Sequence, residues 1–129
     1  MNLLLDTHVV LWAALEPERL RDDCRAALED RTNQVHVSAV SAWEMAIKQS
    51  LGKLELSLPA EQWLPKVLRK TGFDSLSVDV ASALRVRSLP WHHRDPFDRL
   101  LVAQALQSGL TLATHEPYFA PYGVSILAA

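Results

Sequence analysis

The chain has 129 residues, 49% of them hydrophobic, which is the size of one domain with a packed core and excludes a disordered chain. A net charge of −2 argues against coating nucleic acid by bulk electrostatics, but not against an enzyme whose basic residues are local. The one cysteine, Cys24, excludes an internal disulfide and fits a reducing cytosol.

At the amino end, Asn2–Leu5 reads as a strand that Asp6 terminates. No charged region precedes a long apolar stretch, so no signal peptide is expected. No run approaches the length of a membrane span, so the expected location is cytoplasmic, away from a membrane. Helical segments follow at Thr7–Ala14 and Pro17–Asp30, the second a surface helix carrying Cys24 as a packing residue. Val35–Ser38 is the next strand, and Ser38 starts a helix over Ala39–Leu51. Ala60–Thr71 is helical, Ser75–Val78 extended, and Val80–Arg87 and Pro96–Ser108 helical. Thr111–Thr114 and Val124–Leu127 close the set as strands. Gly52, Gly72 and Gly109 each stand just past a helix, where a left-handed cap belongs. Asp95 precedes Pro96, the pattern of an N-cap followed by proline at the first helical position. The alternation predicts βαβ units and a parallel sheet covered on both faces, in a single domain over residues 1–129.

That topology gathers acids. Sites in open α/β sheets lie beyond the carboxyl ends of the strands. Asp6 and Glu116 follow strands directly, and Glu44 lies early in the helix leaving another. Asp98 opens a helix that runs antiparallel to the strand it feeds, so it returns to the same edge. A carboxylate pocket with little positive charge needs a cation, and hard divalent metals serve phosphoryl chemistry. Each acid also has a structural reading. Asp6 can cap the helix at Thr7. Glu44 can close a capping box with Ser41, although it falls within the stripe Val40, Trp43, Ile47, Leu51, where a carboxylate must be protonated, paired or metal-bound. Asp95 and Asp98 can complement a helix dipole, with Asp95 the more structural of the two. Glu116 can belong to a turn.

Asn2–Trp12 (NLLLDTHVVLW), Ser38–Leu56 (SAVSAWEMAIKQSLGKLEL), His92–Ala105 (HHRDPFDRLLVAQA) and Leu112–Phe119 (LATHEPYF) together resemble PIN domains. More narrowly, they resemble VapC-type toxins of bacterial toxin–antitoxin pairs. The resemblance covers essentially the whole chain. It implies a three-layer α/β/α sandwich with a central, mainly parallel sheet of four to five strands. It implies an endoribonuclease dependent on Mg²⁺ or Mn²⁺, a homodimer, and a small VapB-like antitoxin as partner. By motif match, Asp6, Glu44 and Asp98 are the core acids that hold metal. Glu116 stands where the family often has aspartate, which leaves the fourth acid open. Thr114 matches a motif threonine that orients an acid or a water, and Asp95 is a candidate at the metal's rim.

In this reading Arg94, Arg99 and Lys48, the last at the far end of the Glu44 helix, guide RNA backbone. His92 and His93 are candidates to stack on a base or touch phosphate. No C-x-x-C or H-E-x-x-H spacing appears, so zinc is not expected. Trp12, Trp43 and Trp91 read as core or interface anchors, and Trp63 with Leu64 as a partner surface. Two rivals stand beside the nuclease. One is a haloacid-dehalogenase-like phosphatase, disfavoured because His8 occupies the place of its second aspartate. The other is a non-enzymatic dimeric binding module.

Overall fold

The computed structural model describes residues 1–129. Its five strands, β1 Asn2–Leu5, β2 Gln34–Ser38, β3 Asp74–Leu76, β4 Thr111–Thr114 and β5 Ile126–Ala128, form one sheet in the order β3-β2-β1-β4-β5. Every pairing is parallel. The helices are α1 Thr7–Leu15, α2 Asp22–Glu29, α3 Ala39–Ser50, α4 Ala60–Thr71, α5 Val80–Arg85 and α6 Pro96–Ser108. No helix is long and apolar enough to cross a membrane.

β1 is central, and its leucines are buried on both faces, which explains an apolar run without alternation. Because side chains alternate along a strand, Leu3 and Leu5 enter one core and Leu4 the other. The first core takes Val9 and Val10 of α1, Cys24 and Leu28 of α2, and Trp63 and Leu64 of α4. The second takes Leu101, Val102 and Ala105 of α6, with Phe119. These are the two cores of an α/β/α sandwich. Cys24 is fully buried, so its packing role holds. Trp63 and Leu64 are core residues and offer no partner surface, because α4 packs against α3 and turns these two side chains into the first core.

Several boundaries differ from the sequence reading. The segment Pro17–Asp30 is a 3₁₀ turn, Pro17–Arg19, followed by α2. Leu20, buried, and Arg21 are extended between them, so the helix restarts with Asp22 and Asp23 at its positive end. α5 ends at Arg85 and passes into a 3₁₀ turn. β3 begins and ends earlier than expected. It pairs with β2 only until Ser38 opposes Leu76, where β2 turns into α3. β5 starts at Ile126, because the 3₁₀ turn Pro117–Tyr122 and left-handed Gly123 occupy the chain before it. Gly72 and Gly109 do cap α4 and α6 with positive φ.

The phase of α3 is also different. Val40 is buried, but Trp43 and Leu51 are 57% and 62% exposed. The buried face is Val40, Ser41, Glu44 and Met45. Polar contacts of Ser41 and Glu44 with α1 replace the expected apolar stripe.

Leu4→Ala should test the two-core arrangement, because the central strand cannot collapse into the space left behind. The expected loss is about 2–5 kcal/mol of unfolding free energy in a denaturant titration. A loss no larger than that of an exposed leucine such as Leu51 would contradict it.

Candidate functional site

The β1–β4 register builds the first part of the site. Leu5 pairs with Ala113, and the Asp6 amide continues the ladder by donating to the Ala113 carbonyl at 3.0 Å. Asp6 therefore stands beside Thr114, whose hydroxyl donates to Asp6 Oδ2 at 2.9 Å. The Asp6 side chain makes no capping bond to α1, so the capping reading fails although Asp6 occupies that position. Both residues are buried.

α3 supplies the second acid. Ser38 caps it, accepting from the Val40 amide at 3.0 Å, while its hydroxyl donates to buried Gln104 of α6. The helix thus starts at Ser38, and the Ser41–Glu44 capping box does not form. Glu44 is buried facing Thr7, whose hydroxyl donates to Glu44 Oε1 at 2.7 Å and lies 2.9 Å from Ser41 Oγ. The other oxygen, Oε2, is 2.7 Å from Lys48 Nζ. Lys48 was expected at the far end of the helix as a guide for RNA. One turn past Glu44, it folds back on that acid instead, and this bond holds its ammonium pKa above the usual value.

α6 supplies the third. Asp95 is its N-cap, its Oδ1 accepting from the amides of Phe97 at 2.8 Å and Asp98 at 3.1 Å. Asp98, in the first turn, is buried. Its Oδ2 lies 2.9 Å from His93 Nε2 and accepts from the Tyr118 hydroxyl at 3.2 Å. The His93 and Tyr118 rings stack with centroids 4.0 Å apart.

The remaining candidates separate. Glu116 is half-buried at the rim, with Oε1 2.9 Å from His115 Nε2. Arg99 is not available to RNA. It is 2% exposed and donates to the carbonyls of Pro90 at 2.8 Å and of Val86 and Leu89 at 3.2 Å, and to the Tyr122 hydroxyl at 3.2 Å. A buried guanidinium needs such acceptors, and the carbonyls of the 86–93 segment provide them. Arg94 is exposed. Trp43 and Trp91 are exposed, Trp91 lying on the Arg99 guanidinium at 3.8 Å. Thr7, Gln104 and Tyr118 were not singled out as site residues from sequence, and Ser41 only as the N-cap of a capping box. Only Thr7 carried a signal, by its place directly after Asp6.

Burial and like charge raise two of the acids. Desolvation lifts the Asp6 carboxyl above its usual range, Glu44 adds to the rise, and the Thr114 bond and His8 oppose it. Burial, then the charges of Asp95 and Asp6, push Asp98 up to about 7, against the hydrogen bond from His93. Glu116 is not among the charges that raise either. A pocket that forces a proton onto one of its carboxyls near neutral pH is short of positive charge, even with Lys48 present. Its oxygen donors suit a hard divalent cation, whose binding relieves both repulsion and desolvation.

Because Asp98 is neutral more readily in the folded protein than in the unfolded chain, its ionisation costs stability. The cost grows as pH rises from about 4 to about 7 and is complete above that. Asp98→Asn in excess chelator should therefore raise Tm at pH 8, by about 4 °C per kcal/mol relieved at this size. The gain should shrink as pH falls and vanish near pH 4. Thermal denaturation of both proteins across that range measures it, and an equal difference at pH 4 and pH 8 would refute the assignment.

Comparison with known proteins gives the family. The PIN domain family model matches residues 3–123. Over 118 residues the chain is 32% identical to Ribonuclease VapC22 of Mycobacterium tuberculosis (strain ATCC 25618 / H37Rv), covering 89% of this chain and 87% of that protein. Among solved structures, a chain of VapBC2 from Rickettsia felis, bound to a DNA fragment from their promoter, matches with a TM-score of 0.75 at 14% identity. That match covers 99% of this chain and 98% of the other. A chain of DNA-bound VapBC from Salmonella typhimurium gives 0.68 at 19% identity, with the same coverage. Both matches show a shared fold, and the family match over residues 3–123 spans Asp6, Glu44 and Asp98. The chain belongs to the PIN domain family.

Proposed function

We propose that the protein is a divalent-metal-dependent endoribonuclease, the toxin of a toxin–antitoxin pair, with Mg²⁺ or Mn²⁺ held by Asp6, Glu44 and Asp98. One observation carries this reading: three buried acids from three separate elements lie close enough that the charges of Asp6 and Glu44 both raise Asp98. The relationship to a protein named a ribonuclease supplies the substrate class. When bound, the ion polarises a phosphate oxygen and lowers the pKa of water, which is the chemistry that phosphodiester hydrolysis needs.

The chain's own part is to hold the acids and admit the substrate. Thr114 fixes the rotamer of Asp6, Thr7 that of Glu44, and Tyr118 that of Asp98. Lys48 offsets one carboxylate and is 40% exposed, so it can also meet a phosphate at the site. Arg94 is left as the exposed guanidinium for RNA backbone. Asp95 keeps its capping role and adds negative charge beside Asp98. Glu116, tied to His115, serves from the rim as a lesser fourth acid.

The partners in this reading are RNA, a second copy of the chain and a small VapB-like antitoxin, all in the cytoplasm. The two structural relatives are VapBC assemblies, which supports the antitoxin. Trp43, Leu51, Val80 and Leu84 are among the exposed apolar side chains open to protein partners.

Asp6→Asn should reduce Mg²⁺- or Mn²⁺-dependent cleavage of a total RNA pool by at least about 10²-fold, with an unchanged circular dichroism spectrum. Cleavage at the wild-type rate would sink the metal assignment. Wild-type expression should arrest a bacterial host, and Asp6→Asn should not. Neither arrest nor cleavage of a tRNA and rRNA pool would count against a toxin.

A further inference from the structure

We propose that His93 Nε2 is a ligand of the same ion, beside Asp98 Oδ2, and that this nitrogen gives the site a preference for Mn²⁺ over Mg²⁺. The inference rests on the reading of Asp6, Glu44 and Asp98 as a divalent-metal site.

Distance is the first ground. Neighbouring donors around an octahedral ion at about 2.1 Å lie about 3.0 Å apart. His93 Nε2 and Asp98 Oδ2 are 2.9 Å apart already. Donor atoms of His93, Asp95 and Asp98 all fall within 4.8 Å of one another, a group that does not include the donors of Asp6 or Glu44.

The second ground is preorganisation. The His93 ring stacks on Tyr118 at an interplanar angle of 21°, and Tyr118 also donates to Asp98 Oδ2. The His93 amide donates to the Tyr122 hydroxyl at 2.9 Å. Arg99, buried, takes the carbonyls of Leu89 and Pro90 just before it. A histidine that only solvates a surface does not need two tyrosines and a buried arginine to hold it. Fixing the imidazole in advance lowers the entropy cost of ligation.

Chemistry supplies the preference. A neutral imidazole with its proton on Nδ1 presents a lone pair at Nε2. Mg²⁺ keeps oxygen ligands and gives up its waters reluctantly, whereas Mn²⁺, although it also takes carboxylates and water and binds weakest in the first-row series, accepts an imidazole nitrogen more readily than Mg²⁺ does. The competing arrangement has Nε2–H donating to Asp98, which makes His93 a positioning residue with no bond to the ion.

Pulsed EPR on Mn²⁺-loaded protein separates the two. Wild type should show the coupling of a directly bound nitrogen, which changes when histidine is ¹⁵N-labelled and disappears in His93→Gln. By calorimetry, His93→Gln should weaken Mn²⁺ by about tenfold or more while leaving Mg²⁺ within about twofold. Bound Mn²⁺ without nitrogen coupling, or an equal loss for both ions, overturns the ligand and leaves the carboxylate site standing. If wild type binds neither ion, or Asp98→Asn binds both as well as wild type, the metal site itself fails, and the nitrogen ligand with it.

Discussion

Asp6, Glu44 and Asp98 are held largely out of water at one edge of the sheet, where burial weakens the charged form and each negative charge works against the others. Much of the local structure answers that repulsion. Thr114 and Thr7 donate to Asp6 and Glu44, Lys48 pairs with Glu44, and His93 and Tyr118 meet Asp98. These five donors come from five different places in the chain, so the sheet register and three helix docking positions must all be right at once. A one-residue slip of β1 against β4 would turn Asp6 away from Thr114 and remove its donor. The compensation is incomplete, since Asp98 still holds its proton to about pH 7.

Two cations near this edge do different work, and burial decides which. Lys48 ends a flexible stem and remains part-exposed, so its ammonium can serve Glu44 and solvent together. Arg99 is sealed beneath the 86–93 segment, where its fork of donors is matched by main-chain carbonyls. By pinning that segment, Arg99 sets where His93 stands relative to Asp98. A residue that reads as an RNA contact thus acts on the site from below, through the backbone it holds.

Much of the fold was legible because its signals are local and regular. Leucines of β1, the Asp95–Pro96 start of α6, and Gly72 and Gly109 after α4 and α6 each carry their own physical cause, and each stands where expected. Boundaries failed where a neighbour set them: β3 stops because β2 turns into a helix, and α2 restarts because Leu20 must reach the core. The phase of α3 misled because Trp43 and Leu51 are apolar yet exposed, while Ser41 and Glu44 are polar yet buried. Hydropathy cannot anticipate a buried polar contact made by another helix.

From sequence alone, strand–helix alternation determined a parallel sheet, and that topology sent Asp6, Glu44 and Asp98 to one edge. Resemblance across four segments determined the family. Only the tertiary structure decided which donors meet those acids, that Lys48 folds back on Glu44 and Arg99 is buried, that Trp63 and Leu64 are core, and that His93 lies against Asp98. The reason is range: periodicity and capping act over a few residues, whereas the contact of Thr114 with Asp6 joins residues 108 positions apart. Such pairs exist only once both cores have packed and the register is set.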